Sequence, residues 1–193
     1  MTSEDIQELH FERDTDWYDW LLNNHKQAKA VYLIFYKLEL SIPTMRWEEA
    51  VRVALCFGWI DSKVESLGNG KRRQYFCPRN PKGNWSALNK KHIKELEAAG
   101  LIQDAGYKMI DLAKKTGTWT AMDDVEKGII PKDLQTGFDS NPRAFENYKN
   151  FSKGYRKSYL SWLYSAKREE TRKKRISEII RLCDQNIKSR TSF

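Results

Sequence analysis

Trp59-Ile-Asp-Ser-Lys-Val-Glu-Ser66, then Leu67, Gly68-Asn69-Gly70 and Lys71-Arg-Arg-Gln-Tyr-Phe-Cys77, is the stretch whose reading decides the fold. Residues 59–66 and 72–77 read as strands, and Gly68-Asn69-Gly70 supplies the positive-φ positions that a tight hairpin connection needs. The two runs therefore pair antiparallel. Upstream, residues 30–38 (Ala-Val-Tyr-Leu-Ile-Phe-Tyr-Lys-Leu) are nearly continuous in hydrophobicity and rich in β-branched and aromatic side chains. That is the pattern of a central strand covered on both faces. Residues 6–12 alternate weakly and predict one more short strand.

Helices surround these strands. Behind an Asp14-Thr15 cap, Trp17, Trp20 and Leu21 recur at i, i+3 and i+4. Trp47, Ala50, Val51, Ala54 and Leu55 form a stripe that stops at Gly58. A third helix is capped by Asn84 or Ser86 and stops at Gly100, and a fourth covers residues 105–115. Near the C-terminus Tyr155, Tyr159, Trp162, Leu163 and Ala166 make one apolar stripe, and Ile176, Ile179, Ile180, Cys183 and Ile187 make another. Two helices with one stripe each form a hairpin, the second opened by Glu169-Glu170-Thr171 at the positive end of its dipole. The fold class predicted is α+β: a small, mostly antiparallel sheet packed with helices, followed by a basic C-terminal helical hairpin. Its organisation is a core domain over residues 1–115, a connector over 116–140, and the hairpin over 141–193 packed on the core.

The chain has 193 residues, 40% of them hydrophobic, which excludes disordered and fibrous classes because a core of that content can be buried. Its 34 Lys+Arg against 26 Asp+Glu give a net charge of +8. Residues 1–140 hold 20 basic and 21 acidic side chains, whereas residues 141–193 hold 14 and 5, so the whole excess lies in the last quarter. Nucleic acid or an anionic membrane surface is the partner such charge suits, through Lys167, Arg168, Arg172, Lys174, Arg175 and Arg181. The competing reading of the same residues is a solvated helix face. No apolar run is long enough for a transmembrane segment. The acidic, polar start Met1-Thr-Ser-Glu-Asp-Ile-Gln-Glu8 is unlike a secretory signal, and three cysteines far apart suit reduced thiols, so the expected location is cytoplasmic.

A strand's period of two puts Trp59, Asp61 and Lys63 on one face of the hairpin. The returning strand adds either Arg73 and Tyr75 or Arg72, Gln74 and Phe76, depending on register. Arg79 follows a proline, and Trp85 and Asn89 stand at i and i+4 on the next helix. Trp59, Asp61, Lys63, Arg73, Arg79, Trp85 and Asn89 thus make a candidate pocket for a planar or anionic ligand, with indoles to stack and guanidinium groups for bidentate contacts. Against this stands a structural reading, in which Asp61 pairs with Arg79 or caps a helix and the tryptophans are core. No catalytic residue is assigned: His10, His25 and His92 lack partners at motif spacing, and Asp61 as a hydrolase or transferase carboxylate lacks a base or nucleophile. Cys56 and Cys183 lie on apolar stripes, while Cys77, beside Arg79, is the thiol expected to have a lowered pKa. Zinc spacing, a calcium loop around Asp123-Asp124 and a Gly-rich phosphate loop are all missing, so neither metal nor cofactor is expected.

Ala54-Leu-Cys-Phe-Gly-Trp-Ile-Asp-Ser62, Pro78-Arg79, Asn84-Trp85-Ser86, Asn89, Ala105-Gly106, Phe145-Glu146, Trp162, Ala166-Lys167 and Glu170-Thr-Arg-Lys-Lys-Arg-Ile176 together resemble the YdeI/OmpD-associated family, also labelled bacteriocin-protection. The resemblance covers most of the chain. It implies a bacterial protein of a mostly uncharacterised group, named for a proposed link to an outer-membrane porin and to resistance against cationic peptides. The chain departs from it in lacking an export signal and in carrying Gly83 where a Ser precedes the Asn-Trp-Ser run. The function expected is a non-enzymatic cytoplasmic binding domain for a small planar or anionic ligand. The alternatives are nucleic-acid binding through the basic C-terminal helices and a stress or antimicrobial-peptide resistance factor.

Overall fold

The computed structural model describes residues 6–190. It is an α+β chain in two compact units, residues 1–120 and 121–193.

The first unit holds β1 (Glu8–His10), β2 (Val31–Tyr36), β3 (Trp59–Gly68) and β4 (Lys71–Pro78) in one sheet of order β1-β2-β4-β3. The hairpin pairs β3 with β4 antiparallel, β4 pairs antiparallel with β2, and only the short β1 runs parallel to β2. Register sets the faces: Val31, Leu33 and Phe35 lie opposite Phe76, Gln74 and Arg72. This inner face is covered by α1 (Asp14–Asn24) and α2 (Trp47–Cys56), and with α3 (Ala87–Ala98) and α4 (Asp104–Thr116) it builds a core around Trp17, Leu21, Leu33, Ala54, Leu55, Trp59, Phe76 and Ile110. Burial of five of the six residues of β2 explains its unbroken hydrophobic run.

Two glycines let helices approach at backbone distance. Gly58 ends α2 at φ +70°, which a side chain would strain, and a Cβ on Gly106 would sit 2.4 Å from the Cys56 carbonyl oxygen. The start of α4 is held on the end of α2 by the Gln103 N–H, which donates to the same oxygen at 3.0 Å.

The second unit is all helical: α5 (Asp123–Lys127), α6 (Lys132–Asp139), α7 (Pro142–Asn150), α8 (Lys153–Tyr164) and α9 (Glu169–Asp184). Leu134, Phe138, Ala144, Tyr148, Tyr159, Leu160, Leu163, Ile179, Leu182 and Cys183 fill its core. The Tyr159 hydroxyl donates to the Ile187 carbonyl at 2.7 Å and closes the end of α9. Residues 116–140, read from their glycines and proline as a connector, are divided at residue 120, and α5 and α6 belong to this unit. Leu134 and Phe138 are fully buried, yet one i, i+4 pair in an eight-residue helix is too little for a periodic signal. The two-stripe hairpin is correspondingly incomplete, because α9 also packs on α6 and α7. On α8 the predicted Tyr155 is exposed and Leu160 takes its place beside Tyr159 and Leu163.

Candidate functional site

Asp61 stands on the inner face of β3 opposite Phe76. Its Oδ2 accepts from Trp47 Nε1, at the first turn of α2, and from Gln74 Nε2 on β4, each at 2.9 Å. Gln74 Nε2 also donates to the Ser62 carbonyl at 3.0 Å. The carboxylate thus ties a helix to both arms of the hairpin. Between the pairs Asp61↔Phe76 and Val64↔Gln74 two residues of β3 oppose one of β4, a bulge that breaks the period of two. Lys63 is thereby moved off the Asp61 face, and its Nζ pairs with Glu65 at 2.6 Å. Arg73 lies opposite Glu65, bridges to it at 2.7 Å and to Glu8 at 2.6 Å, and stacks 4.3 Å over the Tyr32 ring. Lys63 and Arg73, both predicted beside Asp61, therefore belong to an ion-pair ladder on the opposite face, half-buried at Arg73 and Glu65 and exposed at Lys63, and Gln74 is the β4 residue that meets Asp61.

Arg79 leaves the end of β4 with its backbone N–H on the Gly58 carbonyl at 2.9 Å. Its guanidinium lies 3.8 Å from the centre of the Trp85 ring, and Nη2 donates to the Asn84 carbonyl at 2.5 Å. Only 7% of the residue is exposed, and Nε and Nη1 are buried with no acceptor among the described residues. Burial pulls its pKa down to about 10, and Asp61 opposes that shift, so the group stays cationic at neutral pH. A buried cation with N–H groups left unbonded is costly unless something accepts from them. Trp85 is buried against Trp119, ring centres 4.9 Å apart. Asn89 contributes its backbone N–H, which donates at 3.2 Å to the Ser86 hydroxyl that caps α3. Trp59 is core: its ring meets Trp17 and Trp20, and Nε1 donates to the His25 carbonyl at 3.4 Å. The structure thus brings Asp61, Arg79 and Trp85 to one end of the hairpin. Gln74, one of the two register alternatives, joins them, together with Trp47, read from its spacing only as part of the α2 stripe, and Trp119, which sequence spacing did not single out.

All three thiols are held above the ordinary cysteine range. Burial pushes Cys56 up to about 11 and Cys183 to about 12. Cys77, expected to be lowered by Arg79, is raised as well, since burial is the sole influence on it. His92 is buried, Arg52 Nη1 donates to its Nδ1 at 3.1 Å, and desolvation lowers its pKa, so the ring is neutral. Among the described residues no group of three or more His, Cys, Asp or Glu could hold a metal ion, and no helix is long and apolar enough to cross a membrane.

Along α9 most of the basic residues named above have partners. Arg172 holds Asp133 with contacts at 2.5 and 3.0 Å, Lys174 pairs with Glu170 at 2.7 Å, and Arg181 with Glu178 at 2.7 Å. Arg175 donates to the Trp162 carbonyl and, at 2.7 Å, to the Ser165 hydroxyl, and lies 5.1 Å over the Trp162 ring. Lys167 and Arg168 are exposed at the turn between α8 and α9.

Compared with known families, residues 9–109 match a domain of unknown function, DUF8412, and residues 127–186 match the family described as Bacteriocin-protection, YdeI or OmpD-Associated. The gap between the two matches contains the boundary between the two units at residue 120. No curated protein and no solved structure matches the chain.

Proposed function

We propose, for a chain that belongs to the DUF8412 family through residues 9–109 and whose residues 127–186 match the bacteriocin-protection, YdeI or OmpD-associated family, that the first unit binds a small anionic ligand at Arg79 without transforming it. The observation that carries this reading is the buried Arg79 guanidinium, stacked on Trp85 with Nε and Nη1 lacking acceptors. A carboxylate or phosphate group supplies the acceptors that the protein does not, in a setting where the charge-assisted bond is strengthened by exclusion of water. The Asn84 carbonyl already holds one nitrogen, so Nε and Nη1 are the groups left for a ligand. A planar anion suits the site best, because the cation is already stacked on an indole. Protonated thiols and a neutral, buried His92 support binding over nucleophilic or general-base chemistry. The proposed setting is the cytoplasm, which the three unpaired thiols suit.

The test is thermal unfolding in the presence of phosphate, citrate, benzoate and a nucleoside monophosphate. A ligand at about 100 times its dissociation constant adds about 2.7 kcal/mol of stability. Stabilisation of the native protein that Arg79→Gln abolishes and Lys174→Gln preserves is the expected result. Stabilisation that survives Arg79→Gln, or none by any of these anions, overturns the reading.

A further inference from the structure

The hairpin tip, at the far end of β4 from Arg79, carries a different feature. Val64 shares the inner-face register of Gln74 yet is exposed, so the helices covering the sheet end short of it. Beside it, a 3-10 turn (Leu38–Leu40) follows β2. The Lys37 N–H donates to the Gly70 carbonyl at 2.8 Å, and a Cβ on Gly70 would lie 2.8 Å from Leu40 Cδ1, so the turn and the hairpin tip are in contact. Leu38, Leu40 and Ile42, in and just after this turn, and Val64 and Leu67, near the tip end of β3, are between 39% and 58% exposed. Of these, Leu38 and Val64 line a concavity of about 630 Å³ whose charged lining residues are Lys37, Arg46, Lys71 and Arg72, with no carboxylate. The acids adjacent in sequence to lining residues are Glu39, exposed in the 3-10 turn, and Glu65, which pairs with Lys63 and Arg73 on the other face of the hairpin.

We propose that this tip docks on the surface of an anionic phospholipid bilayer, its aliphatic side chains entering the headgroup boundary and its four cations meeting lipid phosphates and carboxylates. Exposed aliphatic side chains gathered in one patch mark an interaction surface, and a rim without a lining acid selects a negatively charged partner. A bilayer fits better than an acidic protein because the aliphatics come off a 3-10 turn and the end of a neighbouring strand. They do not run in a row along one strand or helix that a partner element could read. The proposal is independent of the Arg79 reading.

Co-sedimentation of the full chain with vesicles tests it, using phosphatidylcholine alone and phosphatidylcholine mixed with phosphatidylserine. The chain is expected to sediment with the mixed vesicles, less at high salt, and not with phosphatidylcholine alone. Lys71→Gln and Arg72→Gln each weaken binding about fivefold, and Leu38→Gln combined with Leu67→Gln abolishes it at physiological salt. All four side chains project from exposed loops or the strand end next to them, and an unchanged unfolding midpoint confirms that each variant is folded. Failure to bind mixed vesicles overturns the proposal, and retention of poly-glutamate in its place assigns the surface to an acidic polypeptide. Binding that the charge variants abolish and the leucine variants leave intact also overturns it, as attraction without insertion.

Discussion

Replacing Asp61 by Asn and, separately, by Ala distinguishes its charge from its place in the hydrogen-bond network. The carboxylate oxygen Oδ2 accepts two N–H groups, from Trp47 and Gln74, each at 2.9 Å, and Gln74 is buried. Hydrogen bonds to a charged group contribute about 1.5–3 kcal/mol each, roughly twice the neutral value. The side-chain carbonyl of the introduced amide can occupy the same position, so Asp61→Asn turns two charge-assisted bonds into neutral ones and costs about 2 kcal/mol. Asp61→Ala leaves both donors without an acceptor, at about 1–3 kcal/mol apiece, and costs about 3–5 kcal/mol in all. Arg79 also loses the carboxylate that offsets its burial in both variants. Guanidinium unfolding followed by tryptophan fluorescence is suited to the measurement, because six of the seven tryptophans lie in residues 1–120. Losses within about 0.5 kcal/mol of zero, the range of ordinary surface substitutions, refute the reasoning. Equal losses from Asn and Ala refute the part assigned to geometry.

Gly106→Ala puts a methyl group 2.4 Å from the Cys56 carbonyl oxygen, where backbone must move, and is expected to lower the same unfolding free energy by about 1–3 kcal/mol despite alanine's better helix propensity. Titration with a thiol reagent at mildly alkaline pH is expected to reach Cys77 first and Cys56 and Cys183 only on unfolding, because burial raises the latter two to about 11 and 12. Fewer than three thiols after denaturation without reductant contradicts the reduced state. His92 has a folded-state pKa below its unfolded value, so the unfolded chain binds the extra proton. The stability that its neutral ring contributes is present above the ordinary histidine range and is lost as pH falls through that range toward the folded value. Fluorescence-detected midpoints should therefore fall between about pH 7.5 and 5.5 in the native protein, and fall less in His92→Gln.

The hairpin was legible because its signal is local: Gly68-Asn69-Gly70 fixes the turn, and the runs beside it fix the strands. The bulge after Asp61 was not legible, since the alternation that placed Lys63 beside Asp61 has no mark where it slips by one residue. The register that chose Gln74 over Arg73 is likewise a property of paired strands. In the second unit α8 and α9 show stripes because they are long, while α5, α6 and α7 bury only one to two residues each. Cys77 shows the limit of reading chemistry from neighbours: Arg79 is two residues away, but its guanidinium turns to Asn84 and Trp85, and burial alone acts on the thiol.

The central claim is that an anion bonds to Arg79, and the Arg79 Nε–Hε signal reports it directly in a nitrogen-15 spectrum of the full chain. Its assignment follows from its loss in Arg79→Lys. A titration with the stabilising anion should shift this signal, and saturate, at the concentration that raises the melting temperature, as a new acceptor replaces a bare N–H. An Arg79 signal that stays fixed while that anion stabilises the protein contradicts the account.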